Sequence, residues 1–218
     1  MLRNYLKTSL RNISRQKIYS AINIIGLAVG IALFIIIAFY IRNELNQDTF
    51  HKKLDRIYRV ERGQMAITTP TLSEYLAREF PEIENTARFE SRNFDIIYND
   101  KSLTIDDFIL ADSNAFDIFS FQLVRGNTNQ PFQHKNSIVL TQSTAKRIFG
   151  DENPIGKTIK VKRKLHLTVT ALAKDLPQNS SIKANAFASF RMIPEVYGTP
   201  KKKIWSSYRN FSTYIGVN

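Results

Sequence analysis

The sequence has 218 residues, 43% of them hydrophobic, and its 31 lysines and arginines exceed its 19 acidic residues to give a net charge of +12. A chain of this length and apolar content can bury a core, which excludes a disordered protein. Cysteine is absent, which excludes a disulfide scaffold but selects no compartment. The mean hydropathy of -0.25 is mild for so charged a chain, so one stretch must be strongly apolar.

Residues 1–18 carry a repeating pattern of basic side chains. Arg3, Lys7, Arg11 and Arg15 recur every fourth residue and therefore share one face of a helix. An anionic leaflet attracts each cation by about 1 kcal/mol, which outweighs the total repulsion of roughly 0.6–1.5 kcal/mol among them. We predict a cytoplasmic amphipathic helix over residues 1–18 that binds anionic lipids. A plain topology signal and a mitochondrial presequence are the alternatives, and a long apolar run downstream disfavours the presequence.

Residues 21–41 form that apolar run. Thirteen of them are Ile, Leu, Val or Phe, and Asn23 is their one strongly polar side chain. As a helix the run reaches about 31 Å, against about 30 Å for a bilayer's hydrocarbon core. Cleaved signal peptides have apolar regions of only about 7–15 residues, and buried soluble helices rarely stay apolar on every face. We therefore predict a transmembrane helix over residues 19–43.

The charges on either side of the span predict its orientation. Five basic residues precede it with no acidic residue among them, whereas Arg42, Glu44 and Asp48 follow it. The positive-inside rule then keeps the N-terminus cytoplasmic. Residues 44–218 are predicted to form an extracytoplasmic domain attached to the inner (plasma) membrane.

Within the span, small residues recur at intervals of four. Gly26 and Gly30 form a G-x-x-x-G spacing, which Ala28 and Ala32 repeat. Small side chains at this spacing let a second membrane helix approach closely. We predict that Gly26 and Gly30 pack against a partner helix. A chance occurrence is the alternative, because glycine is frequent in membrane helices.

After the span, strand and helix patterns alternate. The first unit is predicted to contain a helix over residues 71–80, ending at Pro81, and strands over residues 57–63, 83–90, 95–98 and 103–105, with a hairpin turn at Asn99 and Asp100. The second unit is predicted to contain strands over 137–140, 158–161 and 165–173, and a helix from its cap Thr141 to Phe149, ending at Gly150. Two such units predict an α+β fold.

Residues 150–158 resemble a phosphate-binding loop at first sight. The spacing is one residue too long, which puts Asp151 at the position of the first glycine, and a strand is predicted where a helix must follow. We interpret the segment as a turn between helix and strand.

Other chemical signals are weak. Basic clusters at 160–164 and 201–203 occur without a nucleic-acid fold signature, so we predict a solvated or headgroup-facing surface and no nucleic-acid partner. His51, His134 and His166 lack ligand spacing, and no nucleophile motif occurs. We predict no catalytic residues, metal or cofactor.

Several phrases resemble one family. MLRNYLKTSLRNISRQKIYSAINIIGLAVGIA at residues 1–32 resembles the opening of MacB-like or FtsX-like ABC transporter permeases. FHKKLDRIYRVE at 50–61, DSNAFDIFSFQLVRGN at 112–127 and NSIVLTQSTAKRIFGDENPIGKTIKV at 136–161 resemble their periplasmic core domain. The resemblance implies a porter-like α+β domain, a cytoplasmic ABC ATPase partner and other permease helices in a dimer.

The resemblance also predicts function. A permease subunit would couple cytoplasmic ATP hydrolysis to export or extraction of a lipoprotein, peptide or amphiphile, with the ATPase activity in a partner or a missing domain. The family carries three further membrane helices after the domain, and residues 44–218 contain no second apolar span. We therefore expect a fragment of such a permease, incomplete at the C-terminus, or a degenerate single-span protein. The alternative function is a membrane-anchored binding or sensing protein.

Overall fold

A computed structural model describes Arg11 and residues 15–61, 63–161, 165–198 and 211–218 of the chain. The chain divides into two units, Met1–Gln47 and Asp48–Asn218, and we call the second the C-terminal domain. Helix α1, Lys17–Leu45, belongs to the first unit. It contains no proline, and it ends where the amide of Asn46 donates to the carbonyl of Arg42 at 3.1 Å.

The described part of the C-terminal domain contains short helices and a large sheet. The helices are α2 (Pro70–Glu79), α3 (Ala115–Ile118), α4 (Gln142–Phe149) and α5 (Ile193–Tyr197), with 3-10 turns at Leu54–Arg56 and Phe190–Met192. The strands are β1 (Ile57–Val60), β2 (Ile83–Tyr98), β3 (Lys101–Ala111), β4 (Leu123–Gly126), β5 (Ser137–Thr141), β6 (Thr158–Val161), β7 (Leu165–Ala173), β8 (Ala186–Ser189) and β9 (Phe211–Val217). This mixture confirms the predicted α+β class.

The strands form one continuous sheet that partly closes on itself. Its order is β1-β9-β2-β3-β8-β5-β7-β4, and β6 pairs with both β2 and β7. The ring β2-β3-β8-β5-β7-β6 is therefore a closed six-stranded barrel, and the contact of Ile96 and Ile97 with Val161 and Lys160 closes it. Strands β3 and β8, and strands β5 and β7, pair in parallel, and the remaining pairs are antiparallel.

The β2–β3 hairpin is longer than the sequence pattern indicated. Asn99 and Asp100 form the predicted two-residue turn, both with positive φ (47° and 59°), as a type I′ hairpin turn requires. Strand β2 runs without a break through residues 83–98, so the two separate strands predicted there were wrong. A register shift between Arg92 and Phe94 absorbs the polar stretch that seemed to divide them.

Both faces of the sheet are covered by apolar side chains. All five residues of β5 are buried. Ile138 and Leu140 belong to one apolar cluster, and Val139 belongs to the other, because successive side chains of a strand point to opposite faces. Helix α4 adds Phe149 to the first cluster.

The second predicted unit agrees with the structure at its turns. The Thr141 hydroxyl caps α4 by accepting from the amide of Thr144, and Gly150 ends the helix with a φ of 64°. Strands β6 and β7 have the predicted bounds, and α2 confirms the helix of the first unit. Strand β1 ends at Val60, three residues earlier than predicted, because Gly63 turns the chain with a φ of 61°.

Candidate functional site

Helix α1 is the candidate membrane segment. Among the described residues it is the one helix long and apolar enough to cross a bilayer. Its 29 residues reach about 43 Å, longer than the hydrocarbon core and sufficient for a tilted span. Its apolar side chains are exposed around the whole helix, as with Phe34 at 72% and Ile31 at 50%. Such a surface requires lipid or other apolar helices around it.

Gly26 and Gly30 lie on α1 one helical turn apart, and among the described residues, beyond the neighbouring backbone of the helix itself, no atom lies within 4 Å of a Cβ built at either position. The face that they mark is therefore open to a second helix. Its packing partner stays a prediction.

The predicted basic face is described only in part. Arg11 and Arg15 are helical and exposed, as binding to headgroups requires. Arg3 and Lys7 lie outside the described residues. Lipid binding by these four side chains stays a prediction.

The first residues of the C-terminal domain are held by a set of contacts that sequence reasoning missed. The amide of Asp48 donates to the Asn179 carbonyl at 3.1 Å, and the Asp48 carboxylate accepts from the Ser181 amide at 2.8 Å. The Ser120 amide donates to Nδ1 of His51 at 3.1 Å. We call these residues, together with Lys52, the junction clamp.

Lys52 completes the clamp, because its amide donates to Oγ of Ser120 at 2.9 Å. Ser120 thus donates through its backbone amide to His51 and accepts through its hydroxyl oxygen from the backbone amide of Lys52. Asp48 adopts a left-handed conformation with a φ of 58°, which only a few non-glycine residues adopt readily, aspartate among them. The clamp therefore joins the residues following α1 to two segments more than 60 positions further along the chain.

The imidazole of His51 is buried among aromatic rings. Its exposed fraction is 4%, and the ring centroids of Phe50, Phe119 and Phe121 lie 4.0, 5.1 and 5.6 Å away. Burial lowers the pKa of His51 below its ordinary value of 6.5, and the negative charge of Asp48 opposes this shift only in part. The neutral ring is therefore favoured in the folded protein.

A cleft of about 550 Å³ opens between α3 and the loop that follows β4. Phe116, Phe121 and Phe132 supply apolar surface, and Asn129 and Gln130 supply amide groups. The loop is held in place because Oγ1 of Thr170 donates to the carbonyl of Pro131 at 2.6 Å. A cleft with apolar and amide surface is suited to an amphiphilic ligand.

The segment at 150–158 is the turn that the sequence predicted. The amide of Gly156, whose φ is 83°, donates to the Val169 carbonyl at 2.8 Å. Lys157 forms an ion pair with Glu152 and lies over the Phe149 ring at 5.5 Å. Lys157 and the Gly156 amide therefore stabilise the turn through contacts within the protein.

Metal ligands are not grouped in the part of the chain that the structure describes, where no set of three or more His, Cys, Asp or Glu side chains could hold an ion. The basic residues 162–164 and 201–203 lie outside the described residues.

Comparison with known proteins identifies the C-terminal domain. The comparison with curated sequences gives no match. A domain of a protein described as a permease, from Porphyromonas gingivalis, superimposes with a TM-score of 0.63 at 21% identity, covering 75% of this chain and 76% of that one. The periplasmic region of MacB from Actinobacillus actinomycetemcomitans superimposes with a TM-score of 0.54 at 19% identity, covering 74% and 73%.

A third structure, the extracellular domain of the noncanonic ABC-type transporter YknZ from Gram-positive bacteria, gives a TM-score of 0.54 at 14% identity and covers 74% of this chain and 82% of its own. At such identities the three structures show a shared fold. The family described as MacB-like periplasmic core domain matches residues 20–217. The predicted resemblance is thus confirmed, and the chain belongs to the family with a MacB-like periplasmic core domain.

Proposed function

We propose that the chain is a permease component of an ABC transporter that couples cytoplasmic ATP hydrolysis to export or extraction of a lipoprotein, peptide or amphiphile. The observation that carries the proposal is the order of parts: a candidate membrane helix leads directly into a domain of the MacB-like family, whose first residues are held by the junction clamp. Displacement of α1 would pass to the domain through these contacts.

The proposal includes a topology. The N-terminus is cytoplasmic and the C-terminal domain is extracytoplasmic, because basic residues without acidic neighbours precede α1. A phosphatase reporter that is active only outside the cytoplasm, fused after Asn218, should be active. An inactive reporter on a correctly inserted chain would overturn the topology.

The proposed partners are a cytoplasmic ABC ATPase, a second permease copy and anionic lipids. Gly26 and Gly30 are the proposed contact with neighbouring membrane helices, since their face of α1 is open. Replacing both with leucine should leave insertion intact and weaken crosslinking between membrane helices, because larger side chains prevent close approach. Replacing Ile24 and Ile35 with leucine is the control, since both lie on the opposite face of the helix and the change adds no bulk. Equal crosslinking in both variants would contradict the packing role.

The cleft beside Phe116 and Phe121 is the proposed contact with the transported molecule. The partly exposed ring of Phe116 would contact an acyl chain or an apolar peptide segment, and the amides of Asn129 and Gln130 would bind the polar part. This surface also supports the second candidate function, a membrane-anchored receptor that binds the same class of ligand without ATP-driven movement.

One experiment separates the two functions. The tagged chain is purified from native membranes into lipid nanodiscs, a cysteine replaces the exposed Val124 and carries a fluorophore, and ATP with vanadate is added. Residues 1–218 contain no other cysteine that would take up the label. A transporter should retain an ATPase and show a nucleotide-dependent change of fluorescence. A receptor should show neither, yet its fluorescence should respond to an added lipopeptide.

The mechanical step has its own test. Three glycines inserted between Gln47 and Asp48 should leave ATP hydrolysis intact and abolish the nucleotide-dependent fluorescence change, because a flexible segment cannot transmit displacement. The same insertion after Gln64, in an exposed turn, is the control and should have no effect. A full response after the first insertion would contradict coupling through the junction.

A further inference from the structure

The His51 imidazole has a defined protonation pattern in the junction clamp. Its Nδ1 accepts a hydrogen bond from the amide of Ser120, so that nitrogen carries no proton and the neutral ring is protonated at Nε2. Nε2 is buried and has no hydrogen-bond partner among the described residues. The rings of Phe119 and Phe121 meet the imidazole edge-on, at 67° and 76°.

A second proton would change this arrangement. The imidazolium ring donates from both nitrogens, so Nδ1 could no longer accept from Ser120. The Ser120 amide would lose its partner, and a full positive charge would be enclosed by phenylalanine side chains, which cannot replace the lost hydration. The closed clamp therefore favours the neutral ring over the charged one.

The charged groups around His51 do not remove this conflict. Asp48 attracts a proton to the ring, but its carboxylate is already the acceptor for Ser181. Titratable side chains on the neighbouring segments include Lys52 beside it, Asp117 on α3, Tyr214 on β9, and Lys174 and Asp175 after β7. Tyr214 contacts Phe119, one of the rings around His51, at 5.1 Å between ring centroids.

We propose that the junction clamp is acid-sensitive and opens when His51 takes up a proton at Nδ1. Opening releases the segment Asp48–Lys52 from the α3–β4 connection and leaves the rest of the C-terminal domain folded. The effect goes beyond the proposed transport function and rests only on contacts within the C-terminal domain.

The pH dependence has a definite sign. The pKa of His51 is lowered in the closed clamp, so the open form binds a proton more readily than the closed form. The free energy that favours the closed form is complete above the ordinary value of 6.5 and decreases as pH falls below it. Below the pKa of the closed form, no further decrease is expected.

The test is hydrogen exchange of the full chain in nanodiscs of neutral phosphatidylcholine, from pH 8.0 to 5.0, corrected for the intrinsic rate. Protection of the Ser120 and Lys52 amides should fall in acid, by up to about tenfold per pH unit over the sensitive range. The amide of Val139, in the central strand β5, serves as the reference and should remain protected. Unchanged protection of Ser120 over this range would overturn the proposal.

Two variants distinguish the acceptor from the ring. His51→Asn places an amide oxygen near the position of Nδ1, and this side chain cannot be protonated. Protection of the Ser120 amide in this variant should therefore not depend on pH. His51→Phe keeps the ring without an acceptor, so Ser120 should be unprotected throughout. If the Asn variant loses protection in acid as the natural protein does, another group controls the clamp and the proposal is wrong.

A third variant assigns the transition to His51 even if the first two fail to fold. Asp48→Asn keeps the acceptor for Ser181 and tolerates the positive φ, but it removes the negative charge that raises the His51 pKa. The midpoint of the protection curve should move to lower pH. A midpoint that stays in place or rises would contradict the assignment.

Discussion

Helix α1 and the C-terminal domain differ in how their apolar side chains are covered. No described residue of α1 is buried by the chain itself, whereas the C-terminal domain encloses Phe108, Phe187 and Phe211 almost completely. A domain with apolar clusters on both faces of its sheet carries the packing that it needs. The backbone hydrogen bonds of the helix are internal and its apolar surface matches lipid, so it needs a lipid environment instead of packing within the chain. We therefore expect the two units to respond to different substitutions.

The largest effect is expected in the C-terminal domain. Phe108 on β3 is 1% exposed and meets Phe94 edge-on at 4.7 Å, so Phe108→Ala should lower the free energy of unfolding by about 3–5 kcal/mol. The change in the free energy of unfolding is measured by urea titration, with circular dichroism as the signal. Phe80→Ala, at a side chain 46% exposed, is the control and should change stability by no more than about 0.5 kcal/mol. Insertion of α1 should not change in either variant, and reduced insertion would show that the two units depend on each other.

A smaller effect is expected at the centre of α1. Ile31→Arg places a charge midway along Lys17–Leu45 and should disfavour insertion by about 2.5–3.5 kcal/mol, measured by protease protection in membranes. Ile18→Arg is the matched control, because an arginine near the helix end extends to the headgroups. The unfolding midpoint of the C-terminal domain should be the same in both. A shift confined to Ile31→Arg would contradict independent units.

The smallest effect concerns the start of α4. Thr141→Ala removes the hydroxyl that accepts from the Thr144 amide and should destabilise the C-terminal domain by about 1 kcal/mol in the same urea titration. Thr141→Ser retains the acceptor and should remain near the natural value. Equal loss in both variants would assign the effect to the missing methyl group rather than to the cap.

The sequence predicted correctly those helices, strands and turns whose ends are determined by neighbouring residues. The turn at Asn99 and Asp100, the helix between Thr141 and Gly150, and strands β6 and β7 all have distinct residues at their ends. Strand β8 has the sequence AFAS, which shows little alternation. It is a strand because it pairs with β3 on one side and β5 on the other, and a short sequence window does not contain those partners.

The same limit applies to the candidate site. The candidate span α1 was evident in the sequence because a bilayer requires a particular length and composition of a helix that crosses it. The junction clamp was not, since His51 meets Ser120 only after the domain has folded, and an isolated histidine gives no indication of its neighbours. Phe116, Phe121 and Phe132, which line the cleft, carry no motif that would separate them from ordinary core residues.

The position of β9 has a consequence for biogenesis. This strand, Phe211–Val217, lies between β1 and the first half of β2 and pairs with both, so a strand made late joins two strands that are made early. If the domain is extracytoplasmic, as in the proposed topology, the edge of β2 that β9 will occupy stays open during synthesis and translocation until residue 217 has crossed the membrane. An open edge can pair with a strand of another chain. The nascent domain is therefore expected to need a chaperone in the receiving compartment, and a chain interrupted before residue 211 should be a target for proteolysis even though most of its core residues are already present.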